Sequence, residues 1–142
     1  HQAALACIKP GAVFTDMQGA AVKVITQGLI DIGLLTGELD KNIEDQTYRK
    51  YYMHNIGHWL GMDVHDVGIY KLNGESRPLI AGMVTTVEPG IYIDPDDVGI
   101  AAQWRGIGVR IEDNILVTED GYRNLTANLP VTVADIETLM AG

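Results

Sequence analysis

The sequence predicts an α+β fold in which an antiparallel sheet follows a group of helices. Apolar residues recur at helical spacing mainly in the first third of the chain, whereas short apolar runs separated by Gly, Pro and Asp fill most of the remainder. A last helical pattern closes the chain. Segregation of helices from strands is typical of α+β domains rather than of alternating α/β ones. No repeat, linker or low-complexity tract divides the 142 residues, so we expect one domain.

The helical part has three segments. An opening apolar run ends in the turn Lys9-Pro10-Gly11, because a proline and a glycine together interrupt regular structure. A long amphipathic helix is predicted from Asp16 to Leu35, with Thr15 as its N-cap. A shorter polar helix from Leu39 to Gln46 then precedes several tyrosines.

Four β-strands and a final helix are predicted in the rest of the chain. The helix is capped by Thr132 and runs through Met140. The strands are short runs of β-branched and apolar residues bounded by turn-forming residues. They cover Met83 to Val87, Ile91 to Ile93, Ile107 to Ile111 and Ile115 to Thr118.

Composition excludes several classes of function. The formal charge is −9, from 10 Lys and Arg against 19 Asp and Glu, which disfavours binding to nucleic acid or to anionic membrane surfaces. No apolar stretch approaches the roughly 20 residues that a membrane-spanning helix needs. Cys7 is the only cysteine, so no intrachain disulfide can form. A reducing compartment is therefore favoured, and we expect a cytoplasmic protein.

Three of the four histidines, His54, His58 and His65, lie close together in the sequence. The helical zinc-protease motif requires Glu directly after its first His, and Asn55 stands there instead. Nearby glycines also disfavour a helix, so we expect an irregular strand or loop that directs imidazoles into a cleft. A hydrogen-bonded structural role for any single histidine remains open.

Two glutamates interrupt apolar runs. Glu88 follows the run from Met83 to Val87, and Glu112 lies in the run from Gly108 to Val117. A carboxylate among Val, Ile and Leu must be paired, bound to metal or placed at a sheet rim. Arg110 would share a strand face with Glu112 and could form the pair. Alternatively, two carboxylates and an imidazole would suit Mn²⁺, Co²⁺ or Zn²⁺ better than Ca²⁺.

Three motifs in the same order and with matching spacing resemble the aminopeptidase P family, the Xaa-Pro aminopeptidases among the pita-bread metallopeptidases. They are His54 to Asp66, Thr86 to Tyr92 and Arg105 to Asp113, accompanied by Thr118 to Gly121 and Asn124 to Thr126. The resemblance implies a pita-bread fold, with a curved antiparallel sheet and helices on its outer face. Residues 1–142 would form the C-terminal portion of the catalytic domain.

The resemblance also implies a dinuclear metal centre. In this family two divalent ions, usually Mn²⁺, are held by two Asp, one His and two Glu, and a water or hydroxide bridges the ions. His58 matches the histidine ligand, Glu88 the first glutamate and Glu112 the glutamate that bridges both ions. The implied reaction is release of the N-terminal residue from proline-containing peptides, with proline in the second position.

Catalytic roles follow from the same resemblance. Glu88 would also act as the general base towards the bridging water. His54 and His65 match histidines that contact the substrate, and His65 would stabilise the tetrahedral intermediate. Arg110 matches an arginine that supports the glutamate beside it.

The two aspartate ligands of the family, spaced eleven residues apart, have no counterpart here. No Asp in the chain is followed eleven positions later by Asp or Glu, so only three of five expected ligands are present. The first residue is His1 rather than Met. We therefore expect a C-terminal fragment that is inactive and mostly metal-free by itself, from an intact enzyme that forms a homo-oligomer.

Two alternatives remain. A prolidase-like enzyme would cleave free Xaa-Pro dipeptides rather than longer peptides. A pita-bread binding module without hydrolytic activity would typically have lost metal ligands, whereas this sequence keeps the histidines and glutamates of all three motifs.

Overall fold

The computed structural model describes residues 1–142. Three helices precede the strands and one follows them, as expected. Helix α1 spans Gln2–Leu5, α2 spans Phe14–Asp31 and α3 spans Leu39–Glu44. Single 3₁₀ turns follow at Thr47–Lys50 and later at Ala102–Trp104. Helix α4, Val133–Met140, closes the chain.

The ends of α2 differ from the prediction. The helix begins at Phe14, and the Asp16 carboxylate accepts the backbone N–H of Val13 at 3.0 Å. The prediction of Thr15 as the N-cap is therefore wrong, because the carboxylate in the first turn satisfies the free donor instead. The helix ends four residues before Leu35, where Gly33 takes a φ of 76° that only glycine adopts freely. The predicted cap of α4 is confirmed, since Thr132 Oγ1 accepts the Asp135 N–H at 3.2 Å.

All strand pairs are antiparallel, and they form three small sheets. Strands β1 (Lys71–Leu72) and β2 (Glu75–Ser76) make an exposed hairpin. In the second sheet β6 (Asp113–Val117) lies between β3 (Val84–Val87) and β7 (Tyr122–Asn124). The third pairs β4 (Gly90–Tyr92) with β5 (Gly108–Arg110). The α+β class is thus confirmed, and β1, β2 and β7 are strands that the sequence did not predict.

The β3–β6 pair and the β4–β5 pair together form one long antiparallel strand pair, which is interrupted in the middle. Val87 pairs with Asp113 in one sheet and Gly90 pairs with Arg110 in the other, so the register continues across the break. Glu88 and Glu112 lie in this interruption, and the shared register places them opposite each other. The ladder is interrupted at Pro89, which has no backbone N–H to donate.

A further segment lies along the free edge of β3. Thr86 N donates to the His58 carbonyl at 3.0 Å, and Glu88 N donates to the Ile56 carbonyl at 2.8 Å. This irregular strand brings the histidine segment beside the break in the sheet. The structure has no helix in this segment, in agreement with the expected irregular strand or loop.

The core lies between α2 and the inner face of this sheet. Buried residues of α2 pack with α1 and with apolar side chains of β3, β6 and the histidine segment. The core residues from all these elements include Met17, Ala21, Val22, Ile56, Val87 and Ile115. The apolar side of α4 is left exposed, with Leu139 66% and Met140 79% accessible. No helix in the chain has the length and apolar character needed to cross a membrane.

Candidate metal centre

Glu88 and Glu112 occupy the break between the paired strands. The Glu88 side chain is only 12% exposed. Glu112, by contrast, is exposed, which is the sheet-rim placement that the sequence left open. The reason is that Glu112 does not continue a strand: β5 ends at Arg110 and β6 begins at Asp113, so Glu112 lies at the rim between them.

His58 enters from the segment along the edge of β3. Its Nδ1 lies 2.9 Å from the Trp59 carbonyl oxygen, and its Nε2 lies 3.2 Å from Glu88 Oε1. A carbonyl can only accept a hydrogen bond, so the Nδ1 proton is assigned to this contact, and the tautomer with that proton alone has a lone pair on Nε2. That is the atom a metal ion would bind, and the carbonyl contact holds the ring in place.

His58, Glu88 and Glu112 converge on one point. One ligand atom from each of the three side chains lies within 4.8 Å of the other two. One imidazole nitrogen and two carboxylate oxygens form a donor set that suits a divalent transition ion. The His58 and Glu88 side chains are mostly buried while Glu112 opens to solvent, so the group is accessible from one side. These residues therefore fit a divalent cation.

Arg110 contacts Glu88 rather than Glu112. Its Nε donates to the Tyr92 hydroxyl at 2.7 Å and lies 3.7 Å from Glu88 Oε2. The hydrogen bond to Tyr92, with smaller contributions from the charges of Tyr92, Glu88 and Glu112, raises the pKa of the Arg110 guanidinium. The alternative of an Arg110–Glu112 ion pair is wrong, because the guanidinium contacts the Tyr92 hydroxyl and Glu88 instead.

His54 and His65, the other two histidines of the motif, each contact a residue at this site. His54 Nε2 lies 3.1 Å from the Tyr92 hydroxyl. The exposed His65 ring packs edge-on against His58, with ring centroids 4.4 Å apart. A continuous series of contacts thus runs from His65 through the candidate ligands to Arg110, Tyr92 and His54.

Sequence reasoning missed two side chains that hold the site together. The Thr86 hydroxyl donates to Glu88 Oε1 at 2.9 Å and accepts the His58 N–H at 3.0 Å. Its position two residues before Glu88 on one strand was an available signal, since such residues share a face. Gln18 of α2 accepts the Ile56 N–H at 2.6 Å. No local pattern marks Gln18, because its partner Ile56 lies 38 positions further along the chain.

The sequence profile of metallopeptidase family M24 matches residues 1–119. The chain belongs to metallopeptidase family M24. Among curated proteins of known sequence, it is 51% identical over 137 residues to the Xaa-Pro aminopeptidase of Haemophilus influenzae and 45% identical over 141 residues to that of Escherichia coli. These matches cover 96% and 99% of the chain. The M24 chain spans only 31% and 32% of the length of these relatives.

Solved structures give the same result for the fold. The M24 chain superimposes on Pseudomonas aeruginosa aminopeptidase PepP with a TM-score of 0.96 and 54% identity, covering 99% of the chain and 32% of that protein. The TM-score is 0.93, with 44% identity, for a zinc-substituted E. coli aminopeptidase P in complex with product, covering 99% and 31%. The likeness to aminopeptidase P and the expected pita-bread fold are thereby confirmed.

Proposed function

We propose that this M24 chain is the C-terminal portion of the catalytic domain of an Xaa-Pro aminopeptidase, which releases the N-terminal residue from peptides with proline in the second position. The observation that carries the proposal is the convergence of His58, Glu88 and Glu112 within 4.8 Å. The relatives named Xaa-Pro aminopeptidase support the substrate class. The two Asp ligands would come from the part of the domain outside these 142 residues.

His58, Glu88 and Glu112 would hold the metal, and Mn²⁺ is the ion we propose. Two ions would be bound in the intact site, with Glu112 shared between them. When bound, divalent cations at such a centre lower the pKa of a shared water and polarise the carbonyl that is attacked.

The chain's own residues would then position the substrate and move protons. Glu88, mostly enclosed and fixed by its neighbours, would accept a proton from the attacking water and return it to the leaving proline nitrogen. His65, packed against His58 on the open side, would donate a hydrogen bond to the oxyanion. His54 would also contact the peptide. Arg110 would hold Glu88 and Tyr92 in place through the contacts described above.

The remaining properties follow from the same proposal. With only three of five ligands, the isolated chain would be inactive and would bind a single ion weakly. The exposed apolar side of α4 supports a homo-oligomer or a covering by the rest of the intact enzyme. The net charge of −9 supports peptide rather than nucleic-acid or membrane partners. The single cysteine supports a cytoplasmic location.

Assays of the intact gene product and of the isolated chain, each with added Mn²⁺, test the proposal. We expect the intact protein to release the first residue of a tripeptide with proline second, and the isolated chain to show no turnover. Exclusive cleavage of free Xaa-Pro dipeptides would favour a prolidase instead. Absence of hydrolysis by the intact protein would favour a binding module, and turnover by the isolated chain would contradict the assignment of three ligands in five.

A further inference from the structure

Thr86 lies between two of the candidate metal ligands. Its side chain is buried, with 1% of the residue exposed. The hydroxyl oxygen is 3.0 Å from the backbone nitrogen of His58 and 2.9 Å from Glu88 Oε1. One hydroxyl therefore contacts the main chain of one ligand and the carboxylate of another.

The hydrogen-bond chemistry of this contact has only one arrangement. A backbone N–H can only donate, so the Thr86 oxygen accepts from His58. The single hydroxyl proton is then free for Glu88 Oε1, which accepts it. The oxygen Oε1 is thus engaged by Thr86, whereas Oε2 has only the longer contact of 3.7 Å with Arg110 Nε.

We propose that Thr86 is a positioning residue that sets the separation of His58 and Glu88 and fixes the orientation of the Glu88 carboxylate for metal binding. This inference rests on the metal centre proposed above. The partners that orient metal ligands commonly change metal affinity 10- to 100-fold when removed, roughly the range expected here.

Thr85 provides a matched control on the same strand. It is also buried, with 0% of the residue exposed, and its hydroxyl also contacts His58, donating to the carbonyl oxygen at 2.8 Å. It does not contact Glu88. Loss of the Thr85 hydroxyl therefore imposes a comparable structural change without freeing the carboxylate.

The experiment measures the Kd for Mn²⁺ by electron paramagnetic resonance of the free ion and, separately, stability by urea unfolding. The variants, made in the intact gene product, are Thr86→Val, Thr86→Ser and Thr85→Val. We expect Thr86→Val to raise Kd by about 10-fold or more, because valine keeps the shape and removes the hydroxyl. Thr86→Ser and Thr85→Val should stay within about twofold of the unsubstituted protein.

Unchanged Kd in folded Thr86→Val would overturn the role of Thr86, and so would an equal loss of affinity in Thr85→Val. If Thr86→Val does not fold, the comparison of Thr86→Ala with Thr85→Ala decides in the same way. Failure of the unsubstituted intact protein to take up Mn²⁺ at millimolar concentrations would overturn the metal centre itself, and the role of Thr86 with it.

Discussion

The contact between Gly57 and β3 allows a direct test of how the histidine segment is placed. A Cβ atom added at Gly57 would lie 2.0 Å from the Thr86 carbonyl oxygen, whereas real Cβ contacts are essentially never shorter than 3.0 Å. The two strands would have to separate by about 1 Å. The obstacle is a backbone atom on a strand that is itself hydrogen-bonded to His58, so it cannot turn aside as a side chain would.

We therefore expect Gly57→Ala to lower the free energy of unfolding by about 3 kcal/mol, the upper part of the range for overpacked sites. The affinity for Mn²⁺ should fall as well, because His58 moves away from Glu88. Urea unfolding measures the first effect and metal titration the second. Gly19→Ala is the control, since that helical position has nothing within 4 Å and should gain about 0.5–1 kcal/mol. Gly57→Ala with stability equal to the unsubstituted chain would refute the close packing of this segment on β3.

Three further predictions concern stability. Burial raises the pKa of Tyr52 to about 12, above the unfolded value near 10. Its contribution to stability is therefore complete below about pH 10 and is lost as the pH rises towards 12. Tyr52→Phe should remove most of this alkaline loss of stability in urea titrations at successive pH values. Gln18→Leu leaves the Ile56 N–H without its acceptor and should cost about 1–3 kcal/mol, while Gln18→Glu keeps an acceptor oxygen and should cost less by the same unfolding measurement. Thr132→Ala should reduce helicity at the C-terminal end, seen as faster amide exchange in α4, at a cost of about 1 kcal/mol; unchanged exchange would contradict the cap.

The sequence predicts the order of the elements but not where the strands break. Short runs of apolar and β-branched residues between turn-forming residues indicate strands around Val84 and Ile115. The same pattern does not show that the long strand pair is interrupted at Glu88 and Glu112, since the register runs through the break unchanged. The sequence therefore left pairing, metal binding and a rim position open for Glu112, and the structure places it at the rim.

Helix ends show the same limit of local information. Thr15 and Asp16 both offer an oxygen to the start of α2, and the position of the backbone decides between them. The metal ligands could be indicated in advance because each lies in a recognisable motif. The residues that orient them are less visible: Thr86 is identified only once the strand carrying it is placed against His58, and Gln18 only by its contact across 38 residues.

The meeting of His58, Glu88 and Glu112 around one cation can be tested by nuclear magnetic resonance. Mn²⁺ added in small amounts to the ¹⁵N-labelled chain broadens the amide signals nearest the bound ion, even when binding is weak. We expect the broadening to centre on the segments around these three residues and to disappear in His58→Ala, while a diamagnetic ion causes none. Broadening centred instead on the exposed carboxylates of residues 94–97, or unaffected by His58→Ala, would contradict a shared metal centre.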